Sequence, residues 1–572
     1  MIQVTRYIIE FLIAKKITTI PVFQGGAVMN FIDEIGRHPK LKYVVPYHEQ
    51  ALAMQVDTMA RLDGFAAGFA TSGPGATNLL TGVCSAFYDS IPCFYFTGQV
   101  GQIHLKKQRG VRQLGFQETD VIKIFKPITK YAVQLNDASK VKHELEKGYH
   151  LAFSGRPGPI IFDIPFNIQR TKINPNSLKG FVVKKSKKNK PKPSEINSLI
   201  KALNKSKKPL ILIGGGIKRA NQEKQFLRFV KKYKIPFVTT WMSQHLTSYD
   251  NSLYCGSIGK NGHRSANFLT SNCDLLICLG QRFAVKNIFG EFGKKAKIIA
   301  VDIDKSELKN GLVKPHISIN MTLQDFFKFL PKNIKITKTS KEWLSEYSRA
   351  KNKLFKIAIF NKKFSERKKY ISVYKFFDVI SKIIPGNSLI FPDVGANQVW
   401  FFQSFLQKKD QVVINHTGNS PMGHSIPASI GGYYSSKSKN KKIITFIGDG
   451  GFMMNVQELE HIKNFKIPVK IIVLDNKSLG NTKLGTLLAF NGRTHGNDKK
   501  NGYISPDVKK IAQGFGLKYS EFFNGSDSSL IKKFNLFLKK KGPGIFRVHL
   551  SETQNVAELN VLTDNKKKDY FI

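Results

Sequence analysis

The chain has 572 residues and a mass of 64.5 kDa, and 41% of its residues are hydrophobic. At about 100–200 residues per domain, this length predicts roughly three to five globular domains, and the composition excludes a disordered or fibrous chain. Lysine and arginine number 90 against 40 acidic residues, so the formal net charge is +50, which raises the question of a nucleic-acid-binding protein.

The positive charge is mostly lysine and is spread along the chain, with peaks at 182–195 and about 333–370. It is not accompanied by a basic strand with interleaved aromatic residues or by helix-turn-helix spacing. We interpret it as solvated surface and linkers and expect no nucleic-acid partner.

Cysteine usage and the amino-terminal segment bear on location. The five cysteines are scattered, odd in number and without C-x-x-C spacing, which favours reduced thiols in a cytoplasmic protein over disulfides or a zinc site. The first apolar stretch contains Glu10 and is shorter than the roughly 20 residues of a membrane span. It therefore predicts an amphipathic first helix, not a signal peptide, and we expect no membrane partner.

Short apolar runs that end in glycine-rich turns recur through the chain and predict repeated β-α units. In chain order they are KYVVPY, FAAGFA, IPCFYF and PIIFDIP, then PLILIGGG, IPFVTTW, CDLLICLG and KIIAVDID, and finally NSLIFPDVG, QVVINH, KIITFIGDG, PVKIIVLDN and GIFRVHL. Runs that are apolar at every residue are typical of parallel strands covered by helices on both faces. The prediction is three α/β domains with doubly wound parallel sheets, at 1–175, 190–335 and 365–555, separated by two basic linkers.

The most specific motif lies in the third predicted domain. The strand IITFI ends in Gly448, Asp449, Gly450 and Gly451, a helix-like stretch with Met453, Val456, Leu459 and Ile462 follows, and the next strand ends before Asn476. Residues at the carboxyl ends of neighbouring parallel strands face one crevice. Oxygen ligands, free backbone N–H groups on glycines and a helix start suit Mg²⁺ bridging a diphosphate.

This spacing, with 25 residues between Gly450 and Asn476, resembles the signature of thiamine-diphosphate-dependent enzymes built from three α/β domains. The resemblance implies that Asp449, Asn476 and the Ser478 carbonyl hold Mg²⁺. It also implies that Gly448, Gly450 and Gly451 bind the diphosphate.

Such enzymes also need a carboxylate at the aminopyrimidine ring of the cofactor. Glu49 follows an apolar strand and begins a helix-like stretch; from the residues alone it is equally a first-turn acid favoured by the helix dipole. The surrounding segments HEQ, ATSGPGATNL, DSIPCFYFTGQV, GFQETD, KPITKY and SGRPGPIIFDIP are similar to the acetolactate-synthase branch of the family. This resemblance implies that Glu49 is the catalytic carboxylate.

The same resemblance extends to TGNSPMGHSIPASIGG, where Met422 matches the apolar wedge between the two cofactor rings and Ser420 replaces a glycine whose carbonyl faces the cofactor. In the family the first domain of one subunit meets the third domain of another, which implies a homodimer or a dimer of dimers with shared sites. The positions that match substrate contacts, with ordinary surface or core roles as the alternative, are His48, Gln99, Phe116 and Gln117.

The middle domain matches, in order, the elements that hold FAD in acetolactate synthases, but similar elements occur in relatives without flavin, so FAD stays open. The resemblance implies a phosphate approach at Gly214, Gly215 and Gly216, pairing by Arg282, and contacts from Asp302 or Asp304.

Several substrate-facing features of acetolactate synthases are missing. Phe166 stands where those enzymes have lysine, the stretch after Asn476 contains no tryptophan, and FAVKN lacks their paired acids. The resemblance implies a carboligase that decarboxylates a 2-oxo acid, pyruvate by default, and transfers the aldehyde unit to a carbonyl acceptor. The alternatives are a non-ligating 2-oxo acid decarboxylase or another thiamine-dependent lyase and, from another class, a polyanion-binding protein on an inactive enzyme fold.

Overall fold

A computed structural model of the chain describes residues 1–106, 110–183, 193–288, 291–331, 339–355, 369–554 and 556. Its strands form three large parallel sheets, one in each of three α/β domains, and helices cover the sheets. The three doubly wound domains expected from the repeated β-α pattern are therefore present.

In the first domain, strands pair in parallel in the order Ala67–Ala70, Phe94–Gln99, Ile160–Pro165 and Tyr131–Gln134. A parallel pair, Thr19–Pro21 with Lys42–Val44, extends this sheet through a bridge between Val22 and Phe69, and Ile2–Gln3 pairs antiparallel with Lys172–Ile173. The α-helices are Val4–Ala14, Met29–Arg37, Glu49–Asp63, Pro74–Asn78, Leu80–Tyr88, Val121–Phe125, Val141–Phe153 and Phe166–Arg170. Short 3-10 turns are Gln102–His104, Lys126–Ile128, Ala138–Lys140 and Pro175–Ser177.

The sheet of the middle domain has the order Tyr254–Ser257, Phe237–Thr239, Pro209–Ile213, Leu275–Leu279, Lys297–Asp302 and Ile317–Asn320. Its α-helices are Pro193–Lys205, Gly216–Arg219, Glu223–Tyr233, Arg264–Asn272, Lys305–Asn310, Leu323–Phe329 and Lys341–Leu354, with a 3-10 turn at Trp241–Leu246. The strand Leu275–Leu279 is buried along its whole length, as expected where helices cover both faces of a sheet.

The sheet of the third domain has the order Val412–Val413, Ser388–Pro392, Lys442–Gly448, Val469–Asp475, Gly544–His549 and Lys518–Phe522. Its α-helices are Val373–Ile383, Ala396–Ser404, Ser425–Tyr434, Asp449–Met454, Glu458–Asn464, Gly480–Ala489, Val508–Gly514 and Asp527–Lys539. Short 3-10 turns are Ser436–Ser438 and Lys499–Asn501.

Two expectations from the sequence need correction. The second basic stretch is not only a linker, because it contains the helix Lys341–Leu354, whose Trp343, Tyr347 and Ala350 are buried against the middle domain. Their helical spacing was obscured by the surrounding charges. The single helix-like stretch expected from Met453 to Ile462 is instead two helices, Asp449–Met454 and Glu458–Asn464, and Met453 is 43% exposed. Of the two predicted linkers, residues 184–192, 332–338 and 356–368 lie outside the described residues.

Membrane-spanning segments were sought among the described residues. None of their helices combines the length and the apolar character needed to cross a bilayer.

Candidate active site

The carboxyl ends of two neighbouring strands in the third domain carry the predicted metal ligands. Strands Lys442–Gly448 and Val469–Asp475 pair in parallel, with Gly448 opposite Leu474. Asp449 begins the next helix, and Asn476 directly follows the second strand. The sheet topology therefore brings both side chains to one edge, as the strand-end argument predicts.

Asp449, Asn476 and Ser478 are in direct contact. One end of the Asn476 amide lies 3.3 Å from Asp449 Oδ1 and 2.9 Å from the Ser478 carbonyl oxygen, and the other end lies 2.9 Å from Ser478 Oγ. With the amide nitrogen at the first position, Asn476 donates to both oxygens. With the amide oxygen at that position, the oxygens of Asn476, Asp449 and the Ser478 carbonyl face one another with no donor hydrogen between them. A bound cation would stabilise such a group of oxygens.

The Asp449 carboxyl group sits in a strongly desolvated environment, with 1% of the residue exposed. Burial, together with the nearby Asp475 carboxylate, raises the pKa of Asp449 to about 7. Tyr503 donates a hydrogen bond to Asp449 Oδ2 at 2.9 Å. Asp475 itself is ion-paired with Arg547, at 2.8 Å from Nε, so it serves the packing of neighbouring strands.

Two glycines of the GDGG turn, Gly450 and Gly451, pack closely against neighbouring side chains. A Cβ on Gly451 would lie 2.4 Å from Asp393 Oδ2, and one on Gly450 would lie 2.6 Å from Leu479 Cδ2 and 3.3 Å from both Met422 Cε and the Tyr503 hydroxyl. The Met422 methyl group thus lies over the turn that carries Asp449. A Cβ on Gly448 would meet Asn397 Oδ1 at 3.5 Å, an ordinary contact.

The Met422 turn is held by Asp393, a residue that the sequence reasoning missed. Asp393 accepts hydrogen bonds from the backbone N–H groups of Gly423, at 2.9 Å, and Ser425, at 3.1 Å. Burial raises the pKa of Asp393 to about 7. The available signal was its place directly after the strand Ser388–Pro392, a third strand end at the same sheet edge.

Ser420 has a φ of +50°, in the left-handed region that favours glycine. This explains why a glycine suits this position and why its replacement by serine is strained. The Ser420 hydroxyl donates to the His416 carbonyl oxygen at 3.3 Å.

Glu49 is the first residue of the helix Glu49–Asp63 and is 7% exposed. Its Oε2 accepts a hydrogen bond from Asn78 Nδ2 at 2.9 Å, and a Cβ on Gly75 would lie 3.3 Å from its Oε1. His48 caps this helix, because its Nδ1 accepts from the Gln50 backbone N–H at 3.0 Å. Glu49 is therefore a buried carboxyl group in a fixed orientation.

The other predicted substrate residues differ in their surroundings. Gln99 is fully buried and donates to the Thr119 carbonyl at 2.9 Å and to Asp163 Oδ2 at 3.1 Å, so its amide is engaged within the first domain. Phe116 is 84% exposed, and Gln117, with a φ of +61°, packs against Gly73.

Within the chain, the segment around Glu49 contacts the third domain near the GDGG turn. The Tyr47 backbone N–H donates to Glu458 Oε1 at 2.8 Å, and Gln50 Nε2 donates to Asn455 Oδ1 at 3.4 Å. Burial raises the pKa of Glu458 to about 8. The helix Glu49–Asp63 also packs along the helix Ser425–Tyr434, where Gly431 allows close approach to the Gln55 backbone.

A cavity of about 390 Å³ opens at the carboxyl edge of the middle-domain sheet, where all three domains contribute to its wall. Gly214, Gly215, Gly216, Arg282 and Asp302 line it. Asp304 instead caps the helix Lys305–Asn310 by accepting from the Ser306 N–H at 2.9 Å.

The glycines and the arginine of this cavity also have partners in the protein. A Cβ on Gly214 would lie 2.2 Å from the Gly280 carbonyl oxygen, and Gly216 packs on the same residue. Arg282 pairs with Glu307 at 3.1 Å, and burial raises the pKa of Asp302 to about 6.

Comparison with known families agrees with this architecture. Three models of thiamine pyrophosphate enzymes match the chain in order: the N-terminal TPP binding domain at residues 2–124, the central domain at 196–330 and the C-terminal TPP binding domain at 393–548. Together they cover most of the chain, which belongs to the thiamine pyrophosphate enzyme family.

Proteins similar to this chain narrow this class. The acetolactate synthase large subunit of Lactococcus lactis is 30% identical over 543 residues, covering 94% of this chain and 90% of that protein. A probable acetolactate synthase large subunit of Methanocaldococcus jannaschii is 32% identical, over 89% of this chain and 86% of its own length. The chloroplastic acetolactate synthase of Arabidopsis thaliana is 32% identical, over 83% and 70%. The chain is thus an acetolactate-synthase-like, thiamine-diphosphate-dependent transferase.

Proposed function

We propose that this protein is a Mg²⁺- and thiamine-diphosphate-dependent carboligase that decarboxylates a 2-oxo acid, by default pyruvate, and transfers the aldehyde unit to a carbonyl acceptor. The observation that carries the proposal is the contact of Asp449, Asn476 and Ser478 at the ends of adjacent parallel strands. The names of the similar proteins support the reaction type.

The donor set fits Mg²⁺. A carboxylate, an amide oxygen and a backbone carbonyl are hard oxygen ligands, and Mg²⁺ takes few protein ligands when phosphate oxygens and water complete its octahedral shell. Asp449 would supply the only formal charge of the three. The Asn476 amide would present its oxygen to the cation while its nitrogen donates to Ser478 Oγ, at 2.9 Å.

Bound thiamine diphosphate supplies a nucleophilic carbon for the 2-oxo acid carbonyl and an electron sink for the loss of CO₂. The Glu49 carboxyl group would hold a proton at the pyrimidine ring. Its Oε2 is fixed by Asn78 at 2.9 Å, so Oε1 is the oxygen available for that role. Met422 would support the bent cofactor from the turn that Asp393 holds.

The proposal includes a homodimer or a dimer of dimers. Large apolar side chains are exposed on both the first and the third domain, as expected for surfaces that a second copy covers. They include Ile103 and Phe116 in the first domain, and Phe465, Leu488 and Ile504 in the third. Covering Phe116 would give it the apolar surroundings of a substrate contact.

FAD is a further proposed ligand, of the middle-domain cavity. Gly215 meets only the Met242 side chain at 3.3 Å, so the backbone is accessible there, while Arg282 and Asp302 supply charge of both signs. The five cysteines are free thiols, which suits the proposed cytoplasmic location.

A plain 2-oxo acid decarboxylase is the second candidate, and the substitutions on the substrate side favour it. Phe166, at the position of the expected lysine, is the first residue of the helix Phe166–Arg170. The helix Gly480–Ala489, which follows the metal ligands, has neither a tryptophan nor any buried residue. Both changes concern the acceptor, because they leave Asp449 and Glu49 untouched.

Product analysis separates the two candidates. The purified protein is incubated with pyruvate, Mg²⁺ and thiamine diphosphate, and acetolactate, measured as acetoin after acid treatment, is compared with free acetaldehyde. The Asp449→Ala variant serves as the inactive control. Acetolactate as main product supports the carboligase; acetaldehyde alone would refute it in favour of the decarboxylase.

A further inference from the structure

A buried polar cluster joins the first domain to the loop that precedes Met422. We call it the interdomain clamp; it consists of Asp57, Arg61, Asp89, His416 and His424, each at most 8% exposed. The first three residues belong to the first domain, and the two histidines belong to the third. None of them was singled out by the sequence motifs.

The centre of the clamp is a charged triad. Arg61 Nε donates to Asp57 Oδ2 at 2.9 Å, and its Nη2 donates to Asp89 Oδ2 at 2.8 Å. Two carboxylates around one buried guanidinium hold its pKa above the usual range and leave acceptor capacity for further donors. The donors come from the third domain.

The third-domain loop is fixed to this triad at several atoms. Arg61 Nη1 donates to the Asn415 carbonyl oxygen at 3.2 Å, and the Gly418 N–H donates to Asp89 Oδ1 at 3.0 Å. Between these points, His416 Nε2 lies 2.7 Å from Asp57 Oδ2. The backbone at 415–418 is therefore tied to the first domain through side chains on two of its elements.

Both histidine rings are buried, but only His416 makes a ring hydrogen bond, since neither ring nitrogen of His424 has a partner among the described residues. Burial, with Arg61 nearby, holds the pKa of His416 well below its ordinary value, so Nε2 carries the proton that is donated to Asp57. The His416 ring stacks on His424 with centroids 3.3 Å apart. His424 is two residues after Met422, so the stack links the fixed loop to the Met422 turn.

Asp57, His416 and His424 also have the ligand types of a two-histidine, one-carboxylate metal site. However, Arg61 already occupies Asp57 Oδ2, and a second cation beside a buried guanidinium is unfavourable. The geometry therefore favours a hydrogen-bonded clamp over a metal centre.

We propose that His416 and Asp57 are positioning residues for the cofactor: their hydrogen bond ties the loop that leads to Met422 to the first domain of the same chain. The inference rests on the proposed function, because Met422 is one of its cofactor contacts. Because the Met422 turn is already held in place, it loses less conformational entropy when the cofactor binds. The clamp therefore raises cofactor affinity by preorganisation. Asp393 holds the same turn from the other side.

The test compares two variants of one residue. His416→Phe keeps an aromatic ring for the stack on His424 but removes the donor, whereas His416→Gln keeps a donor on a shorter reach. Thiamine diphosphate binding to the full-length protein is measured with Mg²⁺ by calorimetry. We expect His416→Phe to bind about tenfold more weakly and His416→Gln to recover most of that loss, since a hydrogen bond to a charged group is removed and restored. His143→Phe, on a first-domain surface helix, is the matched control.

Equal affinity in wild type and His416→Phe would overturn the inference. Equal weakening in both variants, with an equally lowered thermal midpoint of the cofactor-free protein, would also overturn it by assigning His416 a purely structural role. One zinc-class ion per chain, lost in His424→Phe, would replace the clamp with a metal site. Wild type that fails to bind the cofactor would contradict the proposed function itself, a distinguishable result.

Discussion

The diphosphate site of the third domain and the cavity of the middle domain both follow a glycine-rich turn at the end of a parallel strand, yet their glycines serve different ends. In the third domain, Gly450 and Gly451 lie against side chains of the site, Met422, Tyr503 and Asp393. In the middle domain, Gly214 and Gly216 lie against the backbone of Gly280. A glycine-rich turn thus packs against side chains of the candidate site in one case and against backbone in the other.

The charged residues of the two regions differ in burial and in the partners they already have. Asp449 is buried, with a tyrosine hydroxyl and an amide as its neighbours, and its pKa is raised to about 7. Arg282 is partly exposed and already has partners, because it pairs with Glu307 and donates a hydrogen bond to the Tyr88 carbonyl oxygen. A desolvated carboxyl group gains most from a cation, whereas a paired arginine must exchange one partner for another to bind a phosphate.

Removing the third-domain carboxylate should have the largest effect. We expect Asp449→Ala to weaken binding of thiamine diphosphate with Mg²⁺ by more than about a hundredfold, because even changes to outer partners of a metal commonly weaken binding 10–100-fold. Calorimetric titration measures it. Asp33→Ala, in an exposed ion pair with Arg37, is the control. Unchanged binding in Asp449→Ala would show that Asp449 is not a ligand of the metal.

The next largest effect concerns catalysis. Glu49→Gln keeps the shape of the side chain and its contact with Asn78 but cannot transfer a proton. We expect turnover of pyruvate to fall roughly 10²–10⁴-fold while cofactor affinity changes little, since this is the usual contribution of a positioned acid or base. The readout is the rate of CO₂ release at saturating cofactor. Near-normal turnover would exclude Glu49 as the catalytic carboxylate.

The smallest effect tests the packing role of the middle-domain glycines. Gly214→Ala should lower the free energy of unfolding by about 1–3 kcal/mol, because its Cβ would overlap the fixed Gly280 carbonyl. Gly215→Ala should change it by less than about 1 kcal/mol, because the nearest atom, Met242 Cβ, would lie 3.3 Å away, a much milder overlap than that at Gly214. Urea unfolding compares the two variants. If Gly215→Ala were the more destabilised, the packing interpretation would be wrong.

The sequence predicted the parts of the structure that depend on local pattern and sheet topology. The apolar strands ending at Gly448 and Asp475 indicated neighbouring strand ends, and Asn476 indeed contacts Asp449. By contrast, strands such as Tyr131–Gln134 and Lys518–Phe522 were missed, because they are short sheet-edge strands that mix polar with apolar residues and are only partly buried.

Contacts between distant segments could not be predicted either. Asp57 and His416 lie outside any recognised motif, and their contact arises only when the folded domains meet. Which of Asp302 and Asp304 lines the middle-domain cavity likewise depends on the fold. Asp304 caps the helix Lys305–Asn310, and Asp302 lines the cavity.

The most direct test of the account is binding of thiamine diphosphate with and without Mg²⁺ at pH 8 and pH 6. A cation binds the ionised carboxylate, and the pKa of Asp449 is about 7, so its proton must leave on binding below that pH. The account predicts binding that requires Mg²⁺ and is roughly tenfold weaker at pH 6 than at pH 8, an effect absent in Asp449→Asn. Equally tight binding without any divalent cation would contradict it.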